Sequence, residues 1–307
     1  MKVPCYTPPT FSVDASDSWK RHLAEYGYVV LHNVLDNISR NHSIELFWKD
    51  WNTISPHFNR YNPSTWSIDT APMMFAKGMA LFNGFGQSDF MWSLRTQDPI
   101  KEIFSKVHGV AKEDLVTSFD GFGCFFSRNQ RPGNWLHIDQ NPNNLAYSVQ
   151  GAYNFFPVHE DSAGFIVVPR THRMGCPRVS HLKDWIPITD PTFPEPVKLL
   201  IPENCFTLWN SRTVHANTGL TYKDNPDELD RLTAYITMEP RTVSNALVAN
   251  RMHVYLNGDA CSHWPNKVEI KRYPWGFGPR FDARGFHKLP KPITFNAPIP
   301  PERLMLI

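Results

Sequence analysis

From about residue 115 the chain is a succession of short apolar runs, and this limits its fold more than any other feature. The runs lie at 117–127, 134–138, 146–157, 164–168, 198–201, 205–209, 213–216 and 231–239. Turn-forming stretches such as Arg131-Pro132-Gly133-Asn134 and Asn141-Pro142-Asn143-Asn144 separate them. Segments this short, broken this often by Gly, Pro and Asn, predict strands of an antiparallel sandwich or barrel.

The first third has a different texture. Ser16-Asp17-Ser18 offers cap chemistry before a short helix that Gly27 would end, and the apolar run 28–35 predicts a strand. Ile44, Phe47 and Trp51 lie near helical spacing within 38–53, and further helical patches are expected around 72–82 and 98–108. In the first of these patches Met73, Met74, Met79 and Phe82 read as core filler. Residues 1–14, with prolines at 4, 8 and 9, read as an irregular arm. Helices followed by strands predict a mainly β fold with helices packed on it. Its stretches are an N-terminal helical region (1–114), a β core (115–240) and a C-terminal arm (241–307), all in one domain. The aromatic, Pro-rich segment 273–280 is expected to cover the core.

Composition narrows the function classes. The 307 residues are 41% hydrophobic with a formal charge of +2 and contain no block of Lys or Arg, so no nucleic-acid partner is expected. Five scattered cysteines (Cys5, Cys124, Cys176, Cys205, Cys261) without a C-x-x-C pair argue against disulfides or structural zinc and suit a reducing compartment. Without a signal-like start or a membrane-length apolar run, a cytoplasmic protein is expected. Oligomeric state is not legible.

The chemistry concentrates in Trp135-Leu136-His137-Ile138-Asp139-Gln140. His137 and Asp139, two apart in a strand, point to one side. A second His would complete two His plus one carboxylate, the set that holds non-haem Fe(II) on one face. His215, in Arg212-Thr213-Val214-His215-Ala216-Asn217, is the candidate. A keto acid bound at the open positions would bury its far carboxylate, which needs a charged, hydrogen-bonding partner. Arg231 and Thr233 supply such a pair on one strand face. Gln140, Asn141, Asn154, Trp209 and Arg212 are candidate supporting or substrate residues on position. Arg170 and Arg212 could grip an anion or lie on a solvated face. His172 reads as structural, and His159 and His181 as solvated.

Six blocks in order resemble the phytanoyl-CoA dioxygenase family of Fe(II)/2-oxoglutarate oxygenases. They are Ala24 through Asp36, with Tyr26-Gly27-Tyr28 before a strand; the His137-x-Asp139-Gln140 segment; Gln150-Gly151-Ala152; Gly164 through Arg173; the segment around His215; and Arg231. The resemblance covers roughly residues 24–240. It departs at Pro169-Arg170-Thr171-His172, where the family has Pro-Gly-Ser-His, and in a longer polar spacing between His215 and Arg231.

The resemblance implies a double-stranded β-helix (jelly-roll, cupin-like) core. It also implies Fe(II) on His137, Asp139 and His215, with 2-oxoglutarate on Arg231 and Thr233. O2 and a small-molecule or acyl substrate would be the other reactants, and ascorbate a possible reductant. The expected reaction is hydroxylation of an unactivated C–H bond with release of succinate and CO2. Asp139 favours hydroxylation, because related halogenases have a small residue there. Two rivals stay open. One is a metal-dependent jelly-roll hydrolase or isomerase with Arg231 idle, the other a catalytically inactive scaffold.

Overall fold

Trp19 and Leu23 stand one helical turn apart, and burial of both organises helix α1 (Ser16–Tyr26). Gly27 ends it in the left-handed conformation, φ +81°, with its N–H donating to the Leu23 carbonyl. The helix start differs from the sequence expectation. Ala15 precedes the helix and no side chain caps it, so Ser16, Asp17 and Ser18 form its first turn. Asp17 there meets the positive end of the helix dipole.

A Cβ added to Gly27 would lie 2.4 Å from Thr213 Oγ1 and 2.5 Å from His172 Nδ1. Gly27→Ala therefore combines a positive-φ penalty with a clash, and should cost at least about 2 kcal/mol in a urea titration. An unchanged midpoint would show that this turn yields freely.

The computed structural model describes residues 3–75, 78–127, 129–130, 132–133, 135–174, 184–189, 193–222, 227–242, 244–267 and 299–307. Arg131, Asn134, Cys176, His181 and the segment 273–280 lie outside the described residues, as does part of the polar stretch before Arg231 (223–226).

The described strands begin with β1 (Cys5–Tyr6), β2 (Thr10–Phe11), β3 (Tyr28–His32), β4 (Met79–Ala80) and β5 (Leu115–Thr117). Next come β6 (Phe122–Phe125), β7 (His137–Ile138), β8 (Val149–Asn154), β9 (Gly164–Val168) and β10 (Ile186–Pro187). The series ends with β11 (Val197–Leu199), β12 (Cys205–Asn210), β13 (Val214–Thr218), β14 (Arg231–Tyr235) and β15 (Met238–Pro240). The chain divides into two compact units, Met1–Val34 with Phe125–Thr233 and Leu35–Cys124 with Ala234–Ile307.

In the first unit one sheet has the order β1-β11-β9-β13-β7-β10, and the other includes β2-β3-β12-β8-β14. The chain passes back and forth between the two sheets from β7 to β9 and again from β11 to β14, with β9, β10 and β11 together in the first sheet, which is the winding of a jelly roll. Their inner faces meet. Trp209 of β12 lies 5.0 Å, centroid to centroid, from Phe165 of β9 and 5.3 Å from His215 of β13. The expected irregular arm contains β1 and β2, each paired in parallel, to β11 and β3. Two-residue strands carry too little pattern to be read before their partners are known.

The Pro169–His172 turn keeps a glycine-like geometry without glycine. Arg170 takes φ +70° where the resembling pattern has Gly, and its guanidinium pairs with Glu25 at 2.7 Å. The Thr171 hydroxyl donates to the Val168 carbonyl and accepts from the Val214 N–H, which ties this turn to the strand carrying His215.

The second unit contains helices α2 (Asn37–Ile54), α3 (Asp89–Arg95), α4 (Asp98–His108), α5 (Asn245–Leu256) and α6 (Pro301–Leu304). Asp36 caps α2 through the Ser39 N–H. Phe47 and Trp51 from α2 meet Phe122 of β6 in an aromatic core, with Phe85 and Phe90 beside it. The patch expected to be helical at 72–82 is not a helix among its described residues. Gly78 turns the chain at φ +75°, and Met79–Ala80 pairs as β4 with Phe122–Gly123. Pro72 and Gly78 override the helical spacing of the apolar residues. Within the expected C-terminal arm, 245–256 forms helix α5, capped by the Ser244 hydroxyl.

Candidate metal centre and the cavity beside it

His137 and His215 face one another as paired residues of adjacent antiparallel strands, their ring centroids 4.4 Å apart. Asp139 follows β7, its N–H held by the Ser211 carbonyl at 2.9 Å. That bond brings the carboxylate back to both imidazoles, with His215 Nε2 at 3.2 Å and His137 Nε2 at 3.5 Å. One ligand atom from each residue lies within 4.8 Å of the others, so the three can hold a metal ion.

Both histidines are set to coordinate through Nε2. His137 Nδ1 lies 2.9 Å from the Trp135 carbonyl, and His215 Nδ1 lies 2.9 Å from the Thr213 carbonyl. A carbonyl only accepts, so Nδ1 carries a proton in both rings, and Nε2 is the nitrogen turned toward Asp139 and free to meet a metal. Burial lowers the His137 pKa below its ordinary value, against the opposing pull of Asp139, and this favours the neutral ligand form. The Gln150 amide donates to Asp139 Oδ2 at 3.0 Å and orients the carboxylate. Trp135 stacks on the His137 ring at 4.6 Å, its indole N–H donating to the Asn217 carbonyl.

A small cavity adjoins this cluster; its wall includes Ala152, Asn154, Phe165, Thr207, Trp209, Arg231 and Thr233. Trp209 links the two, since its ring packs on His215. Arg231 is 2% exposed and donates to Asn217 Oδ1 at 2.8 Å. Thr233 Oγ1 donates to Asn154 Oδ1 at 3.3 Å, while the Asn154 amide nitrogen reaches the Phe156 and Pro202 carbonyls.

The structure therefore gathers His137, Asp139 and His215 in one cluster and Asn154, Trp209, Arg231 and Thr233 around one cavity. Three other candidates, Gln140, Asn141 and Arg212, hydrogen-bond within the loop after β7. The Gln140 amide donates to the Asn144 and Ala146 carbonyls, Arg212 Nη2 donates to the Asn144 carbonyl, and Asn141 Oδ1 accepts from the Asn143 N–H. His172 packs against α1, its Nε2 3.1 Å from the Ala24 carbonyl, and His159 is exposed. Sequence reasoning missed the contacts of Gln150, Asn217 and Ser211 and the place of Thr207 in the cavity wall. Asn217 stands two residues beyond His215 and Thr207 two before Trp209, so period-2 spacing alone could have flagged both.

The sequence matches no protein-family model and no curated protein. Solved structures do resemble the fold, and those neighbours are non-haem iron/2-oxoglutarate-dependent enzymes. The epimerase SnoN, in complex with Fe3+, alpha ketoglutarate and nogalamycin RO, aligns with a TM-score of 0.52 at 16% identity, covering 87% of this chain and 97% of SnoN. SnoK, a non-heme alpha ketoglutarate dependent carbocyclase from nogalamycin biosynthesis, aligns at 0.50 and 13% identity over 83% of this chain and 96% of its own. Likeness at such identities establishes the jelly-roll fold of these enzymes. Among the described residues no helix is long and apolar enough to cross a membrane.

Proposed function

We propose that this protein is a non-haem Fe(II)/2-oxoglutarate-dependent dioxygenase of the phytanoyl-CoA dioxygenase type, which hydroxylates a C–H bond of a small-molecule or acyl substrate. The observation that carries this reading is the His137–Asp139–His215 cluster, next to a cavity whose wall holds a buried arginine. Two neutral imidazoles and one carboxylate fit Fe(II) and leave part of its coordination sphere open for other ligands. SnoN, with its iron and alpha ketoglutarate, adds support by analogy of fold.

In this reading His137 and His215 bind the metal through Nε2 and Asp139 through its carboxylate, held in place by Gln150. Arg231, with Thr233 two residues on, holds the far carboxylate of 2-oxoglutarate inside the cavity. Phe165 and Trp209 keep that cavity apolar and exclude water, which strengthens the charge pairing. The chemistry that iron and 2-oxoglutarate supply in such a site is oxidation by O2 coupled to release of succinate and CO2, with ascorbate keeping the metal reduced. A carboxylate at Asp139 favours hydroxylation over halogenation. Cys5, Cys124, Cys205 and Cys261 are free thiols, which suits action in the cytoplasm.

The test is succinate formation by the full chain with Fe(II), ascorbate and 2-oxoglutarate under air, followed by an anaerobic titration for the visible charge-transfer band. Slow succinate production or the band supports the reading. If neither is observed, the oxygenase assignment fails and a metal-binding, non-oxygenase role replaces it.

A further inference from the structure

The cavity wall contains two polar groups that the reading above leaves unused. Thr207 and Trp209 alternate with Phe206 and Leu208 along β12, so both point inward from the same strand face. Each residue is 3% exposed. Thr207 Oγ1 and Trp209 Nε1 are buried, yet neither meets a hydrogen-bond partner among the described residues. A buried hydroxyl or indole N–H is costly to leave unsatisfied, and two on one cavity wall indicate a polar ligand there.

Register shows where along the cavity each donor stands. Trp209 pairs with Gln150, and Gln150 bonds Asp139, so this row lies at the metal end. Thr207 pairs with Ala152 one row further along, and Cys205 with Asn154 a row beyond that. Asn154 is the residue to which Thr233 bonds. Two residues of strand advance about 6.6 Å, close to the roughly 5 Å between the carboxyl carbons of an extended five-carbon diacid. Ala152, paired with Thr207 across the strands, lines the same cavity.

We infer that Thr207 is a cosubstrate-binding residue whose hydroxyl donates to the distal carboxylate of 2-oxoglutarate, alongside Arg231 and Thr233. The inference rests on the oxygenase reading. It adds a length filter, because only a 2-oxo acid whose second carboxylate is carbon 5 reaches this hydroxyl while chelating the metal.

Isothermal titration under nitrogen, with Fe(II)-loaded full-length protein, distinguishes the contributions by comparing 2-oxoglutarate with 2-oxopentanoate, which lacks the distal carboxylate. Thr207→Val keeps the shape and removes the donor. It should weaken 2-oxoglutarate about tenfold or more and leave 2-oxopentanoate unchanged, while Thr207→Ser restores wild-type affinity. Wild-type affinity in Thr207→Val, or equal weakening for both acids, would overturn the assignment while leaving the oxygenase reading intact. If the wild-type protein binds neither acid, that reading fails and takes this inference with it.

Discussion

Arg251→Met will lower the thermal midpoint of the protein by about 10 °C, a loss on the order of 3–5 kcal/mol. Arg251 lies on α5, is 1% exposed, and places its guanidinium 4.5 Å from the centroid of the Phe119 ring. Its donors go to backbone carbonyls, with Nη1 to Pro265 at 2.6 Å, Nη2 to Thr117 and Leu306 at 2.7 and 2.9 Å, and Nε to Ile307. Replacing a buried ion pair with apolar residues is often neutral, because both partners are replaced together. Here the acceptors belong to the main chain and survive the substitution. Each carbonyl deprived of its donor costs about 1–3 kcal/mol in a dry interior, and Met, matched in length, refills the volume without meeting that need. The segments bound by this one side chain are β5, the stretch before residue 268 and the last residues of the chain, so its loss should loosen all three. A midpoint within about 2 °C of wild type would show that these carbonyls find other donors and that Arg251 is not the tie it resembles.

How much of this was legible beforehand depended on whether a signal lay in one stretch of chain or in two. His137 and Asp139 could be read as a pair because period-2 alternation is a local rule. Gly27 marks a helix end by the left-handed conformation that glycine tolerates. Arg231 and Thr233 stood out by the same alternation. The apolar run around Met73 to Phe82 misled because helical spacing of methionines competes with Pro72 and Gly78, and the breakers prevailed. Helix α5, within the expected C-terminal arm, has apolar residues around it instead of in one stripe, with Val254 and Tyr255 buried beside Arg251, so periodicity does not announce it. Gln140, Asn141 and Arg212 were proposed on proximity to the motif alone. Their bonds within the loop after β7 are a matter of three-dimensional closure that linear position does not encode. Gln150 shows the converse, because its bond to Asp139 exists only once β8 has folded beside the end of β7.

His215→Ala is expected to abolish 2-oxoglutarate turnover and to weaken metal binding by more than about a hundredfold, beyond the ten- to hundredfold that loss of a merely supporting residue costs. If the three residues hold the metal as proposed, removing His215 leaves a two-point site of His137 and Asp139, which lie 3.5 Å apart and cannot fix a face of the metal. The imidazole also fills space between Trp209 and Phe165, whose ring centroids lie 5.3 and 5.7 Å from it, so some stability is lost as well. Two readouts separate these effects. Anaerobic titration with Fe(II) reports the site, and far-UV circular dichroism with a denaturant midpoint reports the fold. A folded variant that no longer binds Fe(II) identifies His215 as the distal ligand, and since His137 pairs with it across the strands, His137→Ala should reproduce the loss. A folded variant that binds Fe(II) within about threefold of wild type, where a ligand would cost far more, would place the metal elsewhere and reduce the cluster to a hydrogen-bonded pair of histidines around a carboxylate.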